Sequence, residues 1–217
     1  MTSRRIVFAH GAGAPSTSDW MVGWAERLGA LGEVRPFDYP YMARGSKRPD
    51  RLPKLVAAHA EQLAAARQGF DGKVVLAGKS MGSRVGCHLS LEQPVDALVC
   101  FGFPLRTFAG KTREAVLLQL TVPVLFVQGT RDRMGPLDLF DEVRGQMQAP
   151  SELVTVEAGD HSLLVTKTWM KQTGRTQADV DAGRCRIIAP EHFMRETIGE
   201  NVIAGYAMTR RAMYQFG

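Results

Sequence analysis

Short apolar runs alternate with longer stretches of helical periodicity along most of the chain. RRIVFAH (4–10) has too many adjacent apolar residues to leave one face in water, which predicts a buried strand. DWMVGWAERLGALG (19–32) reads as a helix with Asp19 as candidate cap and glycines near its end. EVRPFDYP (33–40) reads as a strand that Pro36 makes irregular. RLPKLVAAHAEQLAAARQG (51–69) is rich in Ala and Leu at helical spacing and stops at a glycine.

The alternation continues with KVVLAG (73–78) as strand, MGSRVGCHLSLEQ (81–93) as helix and DALVCFGFP (96–104) as strand. A helix from about Thr112 to Leu120 leads to PVLFVQG (123–129), the clearest strand. PLDLFDEVRGQM (136–147) is the next helix, and ELVTVEAGDH (152–161) holds the last strand. Strands separated by helices predict an α/β fold: a three-layer sandwich around a mostly parallel sheet of about six strands, with both faces covered. Working groups in such sheets gather on loops at the carboxyl ends of the strands. No insertion between these elements is long enough for a lid domain, and a chain of 217 residues is expected to form one domain, 1–217.

Composition narrows the class. Hydrophobic residues make up 45% and charged residues 23%, values of a soluble globule that exclude disordered and fibrous architectures. The net charge of +5 is dispersed. Its short clusters, Arg4-Arg5, Arg44 to Arg51 and Lys167 to Arg175, sit in no nucleic-acid motif, so no nucleic-acid partner is expected. Cys87, Cys100 and Cys185 form an odd set without C-x-x-C spacing, which predicts buried free thiols in a reducing compartment. The opening MTSRRIVFAHGAG has four apolar residues after its arginines, too few for a secretory or membrane segment, so a cytoplasmic protein without a membrane partner is expected.

The chemistry concentrates in VLAGKSMGSR (75–84), which admits two readings. Gly78-Lys79-Ser80 matches the end of a phosphate-binding loop, but that motif needs a glycine where Lys73 stands and a loop where VVLA must be strand. Gly78-Lys79-Ser80-Met81-Gly82 matches G-x-S-x-G, a tight strand-to-helix corner that tolerates only small residues two before and two after its serine. The flanking strand and helix supply that context, and the helix N-terminus favours developing negative charge. Ser80 is therefore the candidate nucleophile.

A serine hydroxyl needs a base, and His161 in EAGDHSL follows the last strand directly. His59 and His88 lie within helical patterns, and His192 has no strand to place it. The base needs a carboxylate; Asp132, three residues after the clearest strand, is favoured over Asp160, whose adjacency to His161 ordinarily points its side chain elsewhere. The order Ser80, Asp132, His161 is one in which such triads occur. Two backbone N–H groups complete the machinery: Met81 after the nucleophile, and Ala12 in the glycine loop HGAGAP after the first strand.

With these residues in place, the chain resembles the α/β-hydrolase superfamily, and within it small lidless hydrolases distantly similar to dienelactone hydrolases. FAHGAGAP, FDYPYM, LAGKSMGSR, VCFGFPL, VQGTRDRMG and GDHSL are similar to that group's motifs in order, over about residues 4–182. The resemblance implies an α/β-hydrolase fold lacking the first antiparallel strands of larger relatives, with Ser80 as nucleophile, Asp132 as acid and His161 as base. Dienelactone hydrolases use a cysteine nucleophile, so their activity does not transfer to Ser80. Some eukaryotic relatives resemble components of larger complexes.

These readings point to a serine esterase acting on small or short-chain acyl esters through an acyl-enzyme, without metal or organic cofactor; the alternative is a binding or scaffolding protein that retains the fold. Trp20, Tyr41, Met42, Phe103 and Leu163 fall near the expected active edge as candidate substrate-binding walls, with core packing as the competing role for each. The basic stretch KTWMKQTGR (167–175), just beyond His161, reads as a solvated loop, with attraction of anionic substrates as the competing role. The tail 183–217 departs from the family pattern: Gly183 and Pro190 interrupt helical continuity, although ENVIAGYAMTRRAMYQF has amphipathic spacing. Covering the sheet, pairing subunits and a changed reading frame all remain open for it, and the sequence leaves the oligomeric state unassigned.

Overall fold

The computed structural model describes residues 3–107 and 109–185. In chain order it runs β1 (Arg4–Ala9), α1 (Asp19–Leu28), β2 (Glu33–Phe37), α2 (Pro40–Ala43), α3 (Leu52–Arg67), β3 (Lys73–Lys79), α4 (Met81–Glu92) and β4 (Ala97–Phe101). A 3-10 helix (Glu114–Gln119) precedes β5 (Val124–Gly129), α5 (Leu137–Gln146), β6 (Ser151–Val156), α6 (Lys167–Thr173) and α7 (Gln177–Cys185). The strands form one sheet in the order β2-β1-β3-β4-β5-β6, with every neighbouring pair parallel. Pro36 sits in β2 at the sheet edge, where a missing N–H is tolerated.

Alternation along the strands divides the core between the two faces. Val7, Leu76, Cys100 and Phe126 point to one face, against Leu55 and Leu63 of α3, Val85 and Leu89 of α4, Leu117 of the 3-10 helix and Phe140 of α5. Ile6, Phe8, Val75, Phe101 and Val127 point to the other, against Met21, Trp24 and Leu28 of α1 and Val180 of α7. Burial on both faces explains the nearly continuous apolar strands. Trp24 and Phe101, 4.6 Å between ring centroids, anchor α1 to the middle of the sheet. Cys87 and Cys100 are buried free thiols.

Several local expectations change. α1 stops at Leu28; the Gly29 N–H still donates to the Ala25 carbonyl in the helical pattern, and the Leu31 N–H closes a tight turn onto Leu28. The segment expected to be helical from Thr112 is a 3-10 helix that begins at Glu114. KTWMKQTGR is not a loop: Thr166 accepts the Trp169 N–H and starts α6, and Gly174, at φ 67°, ends it. α7 passes through Gly183, which therefore does not break the helix. Residues 186–217, including Pro190, His192 and the amphipathic stretch, lie outside the described residues. Among the described residues no helix is long and apolar enough to cross a membrane, and no lid domain is present.

His59 lies wholly inside, between α3 and the sheet, sharing a 3.2 Å hydrogen bond with the Tyr39 hydroxyl. Burial pushes its pKa down to about 3, so it stays neutral in the fold and takes up a proton in the unfolded chain below the ordinary histidine range. Stability from this group is complete above about pH 6.5 and falls as pH drops toward 3, by at most about 1.4 kcal/mol per pH unit. Urea midpoints at pH 7.5 and 5 should show that loss, and His59→Gln should make the pH dependence shallower; an unchanged slope contradicts the assignment.

Candidate active site

The parallel register brings the ends of β1 and β3 together, with Ala9 opposite Gly78. Between β3 and α4 the chain turns through Ser80 at φ 49° and ψ −108°, a conformation costly for a residue with a side chain. The Ser80 N–H donates to the Phe101 carbonyl at 2.8 Å, and the Ser83 hydroxyl donates to the Ser80 carbonyl at 2.6 Å, which hold the turn. A β-carbon on Gly82 would sit 2.5 Å from the Ala9 carbonyl oxygen, and one on Gly78 would press on the Gly82 and Ser83 backbone. The two glycines are thus a steric requirement of the corner.

His161 sits on a tight loop after β6. Gly159 and Val165 form an antiparallel bridge across it, and one carboxylate oxygen of Asp160 accepts the N–H groups of Ser162 at 2.8 Å and Leu164 at 3.0 Å. Gly102, at φ 57° just beyond β4, lets this loop descend onto the sheet edge; a β-carbon there would lie 2.5 Å from the His161 carbonyl oxygen. The loop aims the imidazole in two directions. Nδ1–H donates to Asp132 Oδ2 at 2.7 Å, and Nε2 faces Ser80 Oγ at 2.8 Å. Because an ionised carboxylate only accepts, Asp132 fixes the proton on Nδ1 and leaves Nε2 to accept from the serine hydroxyl.

Asp132 is itself anchored. The Met134 N–H donates to Oδ1 at 2.8 Å, and the Gln128 amide donates to Oδ2. Its side chain is 0% exposed, against 29% for His161, so the carboxylate is shielded while the imidazole reaches the cleft. Asp160, the other carboxylate weighed from the sequence, spends its oxygen on its own loop and does not pair with His161. Gln128 was not identified from sequence; it reads as one more residue of a buried strand.

Met81 opens α4, so its N–H has no partner within the helix, as for any first-turn residue. Ala12 lies in the loop that faces Ser80 across the cleft. Two contacts fix that loop: the Tyr41 hydroxyl donates to the Ala12 carbonyl at 3.1 Å, and His10 Nδ1–H donates to the Gly11 carbonyl. His10 Nε2 accepts the Tyr39 N–H at 3.1 Å, which requires a neutral ring. Burial lowers its pKa, opposed by the Gly11 bond and by Asp38. His10 also escaped sequence reading, being the last residue of an apolar run.

The cleft beside Ser80 has a volume of about 510 Å³ and is walled by Ala12, Ala14, Trp20, Met21 and Met134, together with Lys79 and Ser162. Of the five walls expected from sequence, Trp20 is there. Tyr41 is buried behind the glycine loop, Phe103 packs edge-on against Phe126 in the core, Leu163 turns into the opposite core cluster, and Met42 packs against the first. Among the described residues no group of three or more His, Cys, Asp or Glu side chains is arranged to hold a metal ion.

Residues 2–189 match the family model described as an alpha/beta hydrolase domain. The chain belongs to the α/β-hydrolase family. Solved structures with this fold include a serine hydrolase homologue from Coxiella burnetii, with TM-score 0.65 and 18% identity over 89% of this chain and 84% of that one. Est1E from Butyrivibrio proteoclasticus, solved with ferulic acid, gives TM-score 0.64 at 17% identity over 91% and 90% of the two chains. A dienelactone hydrolase from Anabaena variabilis gives 0.61 at 20% identity over 83% and 85%. An alkyl/aryl-sulfatase of Saccharomyces cerevisiae is 54% identical over 41 residues, 19% of this α/β-hydrolase and 6% of the sulfatase.

The corner of this α/β-hydrolase gives a direct test. Gly82→Ala should cost about 1–3 kcal/mol in urea unfolding because its β-carbon meets backbone that cannot yield. Gly13→Ala, with nothing within 4 Å of the added carbon, should stay within about 0.5 kcal/mol.

Proposed function

We propose that this α/β-hydrolase is a serine esterase that cleaves small or short-chain acyl esters through an acyl-enzyme. The observation that carries this reading is the unbroken chain from Ser80 Oγ to His161 Nε2 at 2.8 Å and from His161 Nδ1 to Asp132 Oδ2 at 2.7 Å. Ser80 Oγ attacks the ester carbonyl as its proton passes to His161 Nε2, and the oxyanion is received by the N–H groups of Ala12 and Met81. Collapse of the tetrahedral intermediate breaks the bond to the alcohol oxygen, which takes the proton from His161. Water then attacks the acyl carbon while giving a proton to His161, and the proton returns to Ser80 as the acid leaves.

The chemistry as written draws on side chains, backbone N–H groups and water. A cleft of about 510 Å³ with mostly apolar walls supports a compact acyl ester as substrate. Esterase and dienelactone hydrolase neighbours support a hydrolytic reaction through fold alone. The alkylsulfatase likeness covers 6% of that enzyme and is too short to carry its activity. Buried free thiols at Cys87 and Cys100 support a reducing, cytoplasmic setting.

The test is hydrolysis of p-nitrophenyl esters from acetate to dodecanoate, together with fluorophosphonate labelling. Ser80→Ala and His161→Ala should each lower kcat by about 10⁶ and Asp132→Ala by about 10⁴, with labelling lost in Ser80→Ala. Near-full activity in Asp132→Ala beside a large loss in Asp160→Ala would transfer the acid role to Asp160. A native protein that neither labels nor turns over any ester would refute the esterase reading and favour a binding role for the fold.

A further inference from the structure

Lys79, the variable residue inside the G-x-S-x-G corner, turns its side chain into the cleft beside Ser80. Its stem runs along the glycine loop, with Cγ and Cδ each 3.6 Å from where a β-carbon on Gly11 would be. Its Nζ donates to Ser162 Oγ at 2.9 Å and lies 4.5 Å from the centroid of the Trp20 ring. Trp20 is tied into the same wall, donating its indole N–H to the Ser162 carbonyl at 2.7 Å. Three elements therefore hold one ammonium in place: the end of β3, the start of α1 and the His161 loop.

Among the described residues this cation has no counter-ion in contact. Among the described residues Lys79 forms no ion pair, and no Asp or Glu lines the cleft. Asp160 acts on it through space, while the Asp160 Oδ1 atom is committed to the Ser162 and Leu164 N–H groups. Burial lowers the Lys79 pKa and Asp160 raises it, in that order of size. An ammonium has three N–H donors, so the bond to Ser162 leaves others for a ligand. The ammonium is part-buried and meets a hydroxyl and an aromatic ring but no carboxylate in contact, so an incoming anion would gain a charge-assisted hydrogen bond there.

We propose that Lys79 is an anion-recognising residue of the cleft and that the preferred substrates are short esters carrying a carboxylate within a few atoms of the scissile carbonyl. The proposal rests on the esterase reading of Ser80 for its reaction. The carboxylate sits against the ammonium, Trp20 and Met134 contact the intervening carbons, and the reacting carbonyl lies over Ser80. A side chain acting merely as a post for the His161 loop would instead influence every ester alike.

Matched pairs separate the two roles: methyl hydrogen succinate against methyl pentanoate for a charge on the acyl side, and O-acetylglycolate against propyl acetate for one on the alcohol side. Acid release is followed in a pH-stat. The native protein should prefer the anionic member of at least one pair by about 10-fold or more in kcat/KM, chiefly through KM. Lys79→Met should reduce kcat/KM for that anionic ester about 10- to 100-fold more than for its neutral partner, and Lys79→Arg should retain the preference. Equal losses on both members, or no anionic preference in the native protein, overturn the proposal. If the native protein hydrolyses none of the four esters, the esterase reading is judged separately, by p-nitrophenyl ester hydrolysis and fluorophosphonate labelling. Calorimetric titration of Ser80→Ala with methyl hydrogen succinate and O-acetylglycolate then decides the subsite. Saturable binding of either that disappears in Ser80→Ala/Lys79→Met upholds it, and absence of binding by both overturns it.

Discussion

Everything at the candidate active site depends on how closely the chain can approach itself where β3 turns into α4. Gly82 rests against the carbonyls of Ala9 and His10, and the parallel register sets Ala9 beside Gly78. That contact brings the glycine loop after β1 to the N-terminus of α4, beside Ser80. The strained backbone of Ser80 is the cost of the turn, and the two-faced core that clamps β1, β3 and β4 keeps it from relaxing. A looser corner would separate Ser80 from the glycine loop even with every side chain retained.

The remaining partners arrive by the same geometry from the other half of the sheet. β5 ends beside β6, so Asp132, just past β5, and His161, just past β6, approach Ser80 from one direction. Rigid local devices then replace long-range packing: Gln128 and the Met134 N–H hold Asp132, and Asp160 ties the His161 loop. The carboxylate beside His161 in sequence thus serves to shape the loop, whereas the one 29 residues away meets the imidazole.

What was legible in the sequence follows from this division. Strands buried on both faces announce themselves as apolar runs, and Gly78, Ser80 and Gly82 carry a steric signature that no ordinary helix start requires. Ser80, Asp132 and His161 sit at strand ends, so finding the strands placed them. Cleft walls have no comparable signature, because an aromatic residue one or two places along a loop faces either the cleft or the core with equal ease. Tyr41 and Phe103 went inward, the first to brace Ala12 and the second to meet Phe126. α6 was hidden for a related reason: its apolar residues, Trp169 and Met170, are adjacent and do not repeat at helical spacing, and its start is set by the Thr166 cap and not by a hydrophobic stripe.

Lys79 and His10 show why residues inside a recognised pattern are easily overlooked. The corner motif constrains the glycines and the serine but leaves its second position free, and this chain fills that position with a long cation that bends into the cleft. Ser162 then joins two tasks, since its neighbour His161 faces Ser80 while its own hydroxyl and carbonyl bind Lys79 and Trp20. The wall that meets a ligand and the loop that presents the imidazole are therefore one piece. A group drawn against Lys79 would be held in fixed relation to Ser80 and His161, because the same short hydrogen bonds that orient the ammonium also limit the movement of the loop.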